Sequence, residues 1–507
     1  MNRCLVAALC SAVLYVLIFP PFGIWPLVWI APIPLARVLL DPVRPPRLLT
    51  AALAGLVFAW AASLGLIAHW TFLAACEFFD KPAWWAFGFT LTAPWLAAAV
   101  PAWFMLGFAP CAILARKSLS WRIVGFAACW GLIDLVRESV GVGNPWLQLG
   151  HGFWQTPALA GLAAVGGVPF LSSLAGAVAA AISLGFSTGS RAIARPPLIF
   201  AASLIVLQAV CGSVITQSHT DGTEGLIESI RIGAVQAALS PAELWDRKRI
   251  DANFNRYIEL SRELRDARVD IVVWPENALP ILIDADLDRS AILKDLAREL
   301  DATVLVGAPR TVDRDGQLVL HNSVYVFRPD GSPPVHYDKR RLLPFLERDM
   351  FLSQRSSQRA VGYHPGVDST FLNIAGHDVL ALLCFEALYA DTSPTMPGID
   401  AAFILNLSND SWFGMGAGPS QHFLMTGFRA LEQGIPLIRV ANAGPGGWFD
   451  SAGRAHAVSE LNSDHGGEAR VYDVPLKPRD RPRARPAWFG LAAGLCLAAA
   501  LLSRRLD

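Results

Sequence analysis

Hydrophobic residues fall into two regimes along this chain. Up to about residue 216, and again at 486–503, they form runs long enough to cross a bilayer, which takes roughly 20 apolar residues. These runs lie near 5–20, 24–41, 51–70, 84–114, 121–137, 160–186, 196–216 and 486–503. Pro101 and Pro110 interrupt the fourth, and the fifth carries Asp134 and Arg137. From 217 to 484 the pattern changes to short β-rich runs alternating with charged helical stretches. Residues 229–236, 269–274, 303–308, 321–327, 335–337, 379–384, 402–407 and 436–440 read as strands. Residues 251–267, 290–300 and 421–433 read as helices, and the Gly-rich stretch 443–447 as a turn. Such alternation predicts a layered α/β domain with its own core. The chain is thus expected to be multi-domain, with an α-helical transmembrane bundle of about seven helices over 1–216. An extracytoplasmic α/β domain over 217–484 and a C-terminal helix with a short tail over 485–507 follow, making about eight helices in all.

The connecting loops orient this arrangement. Arg3, Arg44, Arg47, Arg116, Lys117, Arg122, Arg191, Arg195, Arg504 and Arg505 fall on one side, against Lys81 and Arg137 on the other. The positive-inside rule then places both termini in the cytoplasm and 217–484 outside it. The basic stretch 477–486 runs against this bias, but it follows a large translocated domain.

Composition agrees with a membrane protein. Of 507 residues 53% are hydrophobic and 17% charged, where soluble domains are about 25% charged. Formal net charge is zero, which gives no electrostatic case for nucleic acid. Eight cysteines contain no CxxC pair, and only Cys384 lies in the polar region, which therefore has no internal disulfide. The N-terminal run has no small-residue cleavage site and reads as an uncleaved span.

Three polar residues sit just past β-like runs: Glu276 after VVWP, Lys339 after VHYD, and Cys384 after VLALL. A carboxylate can take the proton of a thiol nucleophile, and an ammonium can stabilise the oxyanion formed at a carbonyl under attack. Together they are a sufficient kit for acyl transfer. Singly, each also fits a blander role: a core thiol, a helix cap and a solvated charge. His422 and Asp410 raise a metal or Cys–His pair, but His422 lies in a helical run beside Phe423 and reads as structural. No metal-ligand spacing and no phosphate-cradling loop occurs, so neither metal nor cofactor is expected.

The segments around these residues go further. WPENALP, YDKRRLLPFLE, LLCFEALY and ILNLSNDSWFG followed by QH and FRALEQGIPLIRVANAG resemble the nitrilase superfamily, and specifically bacterial apolipoprotein N-acyltransferases. LIFPPFGIWPLVWIAPIPL and GNPWLQLGHGFWQTPALAGLAAVGGVPFLS resemble that family's membrane half. The resemblance implies a nitrilase-like αββα sandwich for the polar region. It makes Glu276 the general base, Lys339 the oxyanion stabiliser and Cys384 the nucleophile, with Glu347, Phe385 and Glu386 in support. Trp245 matches an aromatic of a substrate-facing arm, with a half-buried core position as the alternative. The segment 351–363, with Trp412 and Phe413, is the candidate lid or lipid-facing arm, with a disordered surface loop as the alternative for 351–363. Asn277, Leu346, Arg348 and Phe385 depart from the family's usual residues and bear on substrate preference.

The implied reaction moves an acyl chain from a phospholipid donor to the amine of a diacylglyceryl-modified apolipoprotein through a Cys384 thioester. It implies a monomer in the bacterial inner membrane with its catalytic domain on the periplasmic side. A membrane-tethered amidase, a paralogue with another acceptor, a transporter and a catalytically silent scaffold are the rival readings.

Overall fold

The computed structural model describes every residue except 79, 97–98, 142, 187–190, 221–227, 315, 344–346, 348–361, 368–370, 393–399, 415, 462–465, 477–485 and 504–507. The apolar half folds into helices α1 (Asn2–Val16), α2 (Ile33–Leu39), α3 (Leu48–Leu73), α4 (Ala83–Leu96), α5 (Val100–Phe108), α6 (Cys111–Leu114), α7 (Leu119–Ser139), α8 (Pro157–Ala160), α9 (Ala163–Gly185) and α10 (Arg191–Thr220). Among the described residues five stretches are long and apolar enough to cross a membrane: Leu48–Glu77, Ala83–Leu114, Leu119–Ser139, Ala163–Gly185 and Arg195–Ser218. The other three expected runs form shorter apolar helices, Asn2–Val16, Trp25–Leu39 and Trp488–Leu502. The fourth run is broken into α4, α5 and α6. Ala99 turns the chain at φ +50°, and Pro101 and Pro110 lie at helix starts, where their missing N–H breaks no intrahelical bond. On α7, Asp134 and Arg137 form a buried ion pair of 2.8 Å, which sets the two opposite charges against each other inside an apolar helix.

The polar half is a four-layer α/β domain. Its elements are β1 (Glu228–Gln236), α11 (Pro241–Leu244), α12 (Ile250–Arg262), β2 (Ile271–Val273), α13 (Leu287–Leu300), β3 (Thr303–Arg314), β4 (Gln317–Phe327), β5 (Val335–Asp338), β6 (Phe371–Ile374), β7 (His377–Leu383), β8 (Phe403–Asn409), α14 (Gly418–Gln433), β9 (Leu437–Asn442), β10 (Gly444–Phe449), β11 (Ala455–Leu461) and β12 (Glu468–Leu476). One sheet has the order β12-β1-β2-β3-β4-β5 and the other β11-β10-β9-β8-β7-β6. In each, three central strands run parallel, β1-β2-β3 and β7-β8-β9. The inner faces meet in one apolar core that includes Ile232, Val273 and Leu305 from the first sheet and Ala381, Leu405 and Val440 from the second. Helices α12 and α13 cover the outer face of the first sheet, and α14 that of the second. Strands buried on both faces read as continuous apolar runs, which is why these were visible in the sequence.

The Gly-rich stretch expected as a turn opens a strand instead. Ala443 (φ +53°) and Gly444 (φ +94°) turn the chain, and Gly444–Phe449 then pairs with both β9 and β11. Helix α15 (Pro486–Leu502) returns the chain to the bundle, where Lys117 Nζ donates to the carbonyl of Leu501 at 2.8 Å.

The two halves share a core. Leu424, Met425, Phe428 and Leu431 of α14 pack in the same apolar cluster as bundle residues such as Trp146, Leu149 and Leu171. Helix α14 therefore lies between the second sheet and the membrane helices.

Candidate active site

Glu276, Lys339, Cys384 and Asp410 all follow the carboxyl ends of strands, namely β2, β5, β7 and β8. That is where α/β sheets open a crevice and where loops carry reactive groups. The turn after β2 is tight. A side chain at Gly307 would lie 2.3 Å from the Pro275 carbonyl and 2.7 Å from Glu276 Cα, so only glycine lets β3 pass behind the carboxylate. Asn277 adopts φ +50°, a left-handed conformation that asparagine tolerates better than a β-branched residue. Its Oδ1 accepts from the Tyr363 hydroxyl at 3.2 Å.

Lys339 is enclosed and holds two carboxylates. Its Nζ donates to Glu276 Oε1 at 2.8 Å and to Glu347 Oε1 at 2.9 Å. Asn322 Nδ2 spans the same two oxygens at 2.8 and 2.6 Å, and the Leu343 amide donates to Glu347 Oε2 at 2.7 Å. Burial opposes the lysine charge, but Glu276, Glu347 and the thiol of Cys384 outweigh it and hold its pKa well above the usual range. Burial raises the Glu276 pKa. Lys339 works against the rise and the Glu347 charge adds to it.

Cys384 begins a single-turn 3-10 segment in a left-handed conformation (φ +50°), a strained turn of the kind that concentrates at reactive residues. Burial raises its thiol pKa, the charges of Glu276 and Asp410 raise it further, and Lys339 and a hydrogen bond from Ser408 only partly offset them. The thiol is therefore protonated at rest.

Glu386 ties the Cys384 turn to the segment after Lys339. Its carboxylate accepts from the amides of Leu383, Arg340 and Arg341 and from the Tyr337 hydroxyl, at 2.8–3.0 Å. Phe385 is half-buried against the bundle, its ring edge-on to Tyr389 at 5.1 Å. Trp412 stacks on Phe413 at 3.9 Å and meets Trp70 of α3 edge-on at 6.0 Å, at the junction with the membrane helices. Trp245 packs half-buried against the core between the first sheet and its helices, outside the hydrogen-bonded cluster of Glu276 and Lys339. Leu346, Arg348 and the candidate lid up to 361 lie outside the described residues.

A carboxylate base, an enclosed ammonium and a thiol at adjoining strand ends are the parts needed to attack an acyl carbonyl. Comparison with known proteins finds matches to both halves of the chain. Residues 231–475 match the model of the carbon-nitrogen hydrolase family, and residues 11–181 match the apolipoprotein N-acyltransferase N-terminal domain. The apolipoprotein N-acyltransferase of Brucella melitensis is 31% identical over 508 residues, covering 95% of this chain and 91% of that protein. The chain belongs to the apolipoprotein N-acyltransferase family. The Pseudomonas aeruginosa and Geobacter metallireducens proteins of the same name are 31% and 28% identical, over 80% and 90% of this chain and 78% and 86% of their own. Among solved structures, an amidase from Nesterenkonia sp. aligns with 50% of this chain and 94% of its own at a TM-score of 0.37 and 15% identity. The protein is thus a multi-pass membrane acyltransferase with a nitrilase-like domain.

Sequence reasoning passed over Asn322, Ser408 and Arg439. Only Arg439, a cation in the otherwise apolar run LIRVA, left a signal. His422, read there as structural, lies beside the thiol: Cys384, Asp410 and His422 each place a side-chain S, O or N atom within 4.8 Å of the others.

Proposed function

We propose that the protein moves a fatty acyl chain from a membrane phospholipid to the N-terminal amine of diacylglyceryl-modified apolipoproteins, in two steps through a thioester on Cys384. Glu276 takes the thiol proton as the sulfur attacks the ester carbonyl. Its raised proton affinity suits a base, because proton transfer is fastest when the base's pKa lies near the working pH. Lys339 Nζ and the Phe385 amide, in the first turn after the nucleophile where helical N–H groups lack internal partners, receive the oxyanion. The proton then goes to the leaving glycerol oxygen. The lipoprotein amine next attacks the thioester, the C–S bond breaks, and Glu276 carries a proton from the attacking nitrogen to the sulfur. Glu347 keeps Lys339 charged and placed.

The observation that carries this reading is one lysine held by two carboxylates, near a protonated thiol on a strand whose sheet docks through α14 onto the membrane bundle. Both substrates are confined to the bilayer, so a site at that junction meets them at high effective concentration. The bias of the loop charges supports an inner-membrane protein with this side facing the periplasm.

The test is mass spectrometry of the purified full-length protein after incubation with phosphatidylethanolamine vesicles. The parent gains one thioester-linked acyl chain and Cys384→Ser gains none. A diacylglyceryl-cysteinyl peptide then discharges the adduct as an N-acyl peptide. A parent that never carries the adduct refutes the mechanism, and an adduct discharged only as free fatty acid assigns a hydrolase instead.

A further inference from the structure

A second polar cluster, built on the other sheet, lies against the thiol. Asp410 Oδ1 accepts from Ser408 Oγ at 2.9 Å and faces His422 Nδ1 at 3.0 Å, while Oδ2 accepts from Arg439 Nη2 at 2.6 Å. Arg439 Nη2 is also 3.1 Å from His422 Nδ1, so two donors converge on one carboxylate. Arg439 Nη2 has two acceptors of its own, Asp410 Oδ2 and Ser408 Oγ (3.2 Å), so the imidazole proton goes on Nδ1, facing Asp410, and the lone pair on Nε2. His422 is 1% exposed, and its Nε2 has no hydrogen-bond partner among the described residues. Buried polar atoms are normally paired, so an imidazole anchored at one nitrogen and free at the other calls for an explanation.

A metal ion is a poor one. Both Asp410 oxygens are already engaged, and Arg439 brings a full positive charge against the two groups that would be ligands. The ring's neighbours point elsewhere. His422 stands 5.9 Å from Phe413 and 6.1 Å from Trp146, centre to centre, and Trp146 lies in the loop between α7 and α8 of the bundle. It therefore lies beside the thiol at the junction with the membrane half.

The acyl-transfer reaction, on which this inference rests, leaves one proton without a carrier. In acylation Glu276 moves a proton from sulfur to the leaving oxygen. In aminolysis it moves one from nitrogen back to sulfur. An α-amino group, with an ordinary pKa of about 7.7–8.0, arrives mostly as ammonium at neutral pH and must first lose another. We propose that Nε2 of His422 takes this additional proton and so delivers the acceptor to the thioester as a free amine. The C–N bond forms, the C–S bond breaks, Cys384 leaves as a thiol, and the imidazolium passes its proton to water as the product departs. The charged groups facing the ring are Arg439, Asp410 and Lys339, with the Cys384 thiol alongside. Burial and the two cations hold the His422 pKa below its usual value against the pull of Asp410. The ring is thus neutral at rest and sheds the proton readily.

The experiment separates the half-reactions. Full-length parent and His422→Asn are charged with acyl chain from phosphatidylethanolamine vesicles. A synthetic dipalmitoylglyceryl-cysteinyl peptide or hydroxylamine, whose nitrogen is unprotonated near neutral pH, is then added, and the adduct is followed by intact mass. His422→Asn is expected to form the adduct within about threefold of the parent rate and to lose it to the peptide about 20-fold more slowly near pH 6.5. The deficit shrinks about tenfold per pH unit as the amine deprotonates, and it is absent with hydroxylamine. His422→Gln replaces the asparagine variant if that protein fails to fold. A deficit equal at all pH values, or equal for both acceptors, or matched by slower adduct formation, makes His422 a structural residue and overturns the proposal. Absence of adduct on the parent overturns the acyl-enzyme reading and this inference with it, whereas an adduct discharged normally by the variant overturns this inference alone.

Discussion

Glu347 shares Lys339 with Glu276, and its charge is one of the causes that raise the Glu276 pKa. In Glu347→Gln that charge is gone while the side chain's shape stays. The Glu276 pKa then falls, and its basic form persists to lower pH. The acid limb of adduct formation plotted against pH is therefore expected to move to lower pH. The plateau falls within about 10²-fold, because a weaker base transfers the proton less well. Acylation rates of parent and variant across the pH range check both effects, and a limb displaced to higher pH contradicts the assignment. At this scale the sequence was informative where chemistry and local context coincide. Glu276, Lys339 and Cys384 each end a β-like run inside a distinctive segment. Asn322 and Ser408 sit among ordinary strand residues. Arg439 makes sense only through the register of β8 and β9, which sets it opposite Asn406. That pairing is a tertiary fact with no local imprint.

The element that positions Cys384, the proposed nucleophile, is the turn after β7, and Glu386 is its fastener. One carboxylate takes the amide of Leu383 before Cys384, the amides of Arg340 and Arg341 after Lys339, and the hydroxyl of Tyr337 on β5. It thereby fixes two strand ends from opposite sheets and holds Cys384 in its left-handed conformation. Glu386→Ala strands those donors in a buried site at about 1–3 kcal/mol each, with incomplete additivity. A melting midpoint well below the parent's and a failure to form the adduct are expected. Glu386→Gln, which keeps an acceptor oxygen, should lie between the two. Equal midpoints for all three proteins would remove Glu386 from this role. The parallel strands β1–β3 and β7–β9 were legible because burial on both faces writes an apolar run. Strands β6, β10, β11 and β12 were not. β10 opens with glycine and proline, and β12 is half-exposed and owes its conformation to pairing along all of β1.

For the whole molecule, the hydrophobic pattern separates a membrane half from a polar half but does not show that one helix belongs to both. In α14 nearly every side chain is buried, some against the second sheet and others against the bundle. Its periodicity alone predicts only one apolar face. Gln421 fastens it: Oε1 accepts from the indole nitrogens of Trp70 and Trp146 at 3.3 and 3.0 Å, and Nε2 donates to the carbonyls of Pro20 and Leu66 at 3.0 and 3.2 Å. These bonds join α14 to three separate parts of the bundle. Gln421→Leu keeps the volume and leaves two donors and two acceptors unpaired, at about 1–3 kcal/mol each and less than additively. The next residue of the same helix is His422, so loosening the dock also displaces the second polar cluster from the thiol. Faster hydrogen exchange along α14 and slower acyl transfer from vesicles are expected together. Ser420→Ala, on the exposed face one residue earlier, is expected to change neither. Unchanged exchange along α14 in Gln421→Leu would show that the two halves are not held together at this point, and that the site's place at the bundle depends on apolar contact alone.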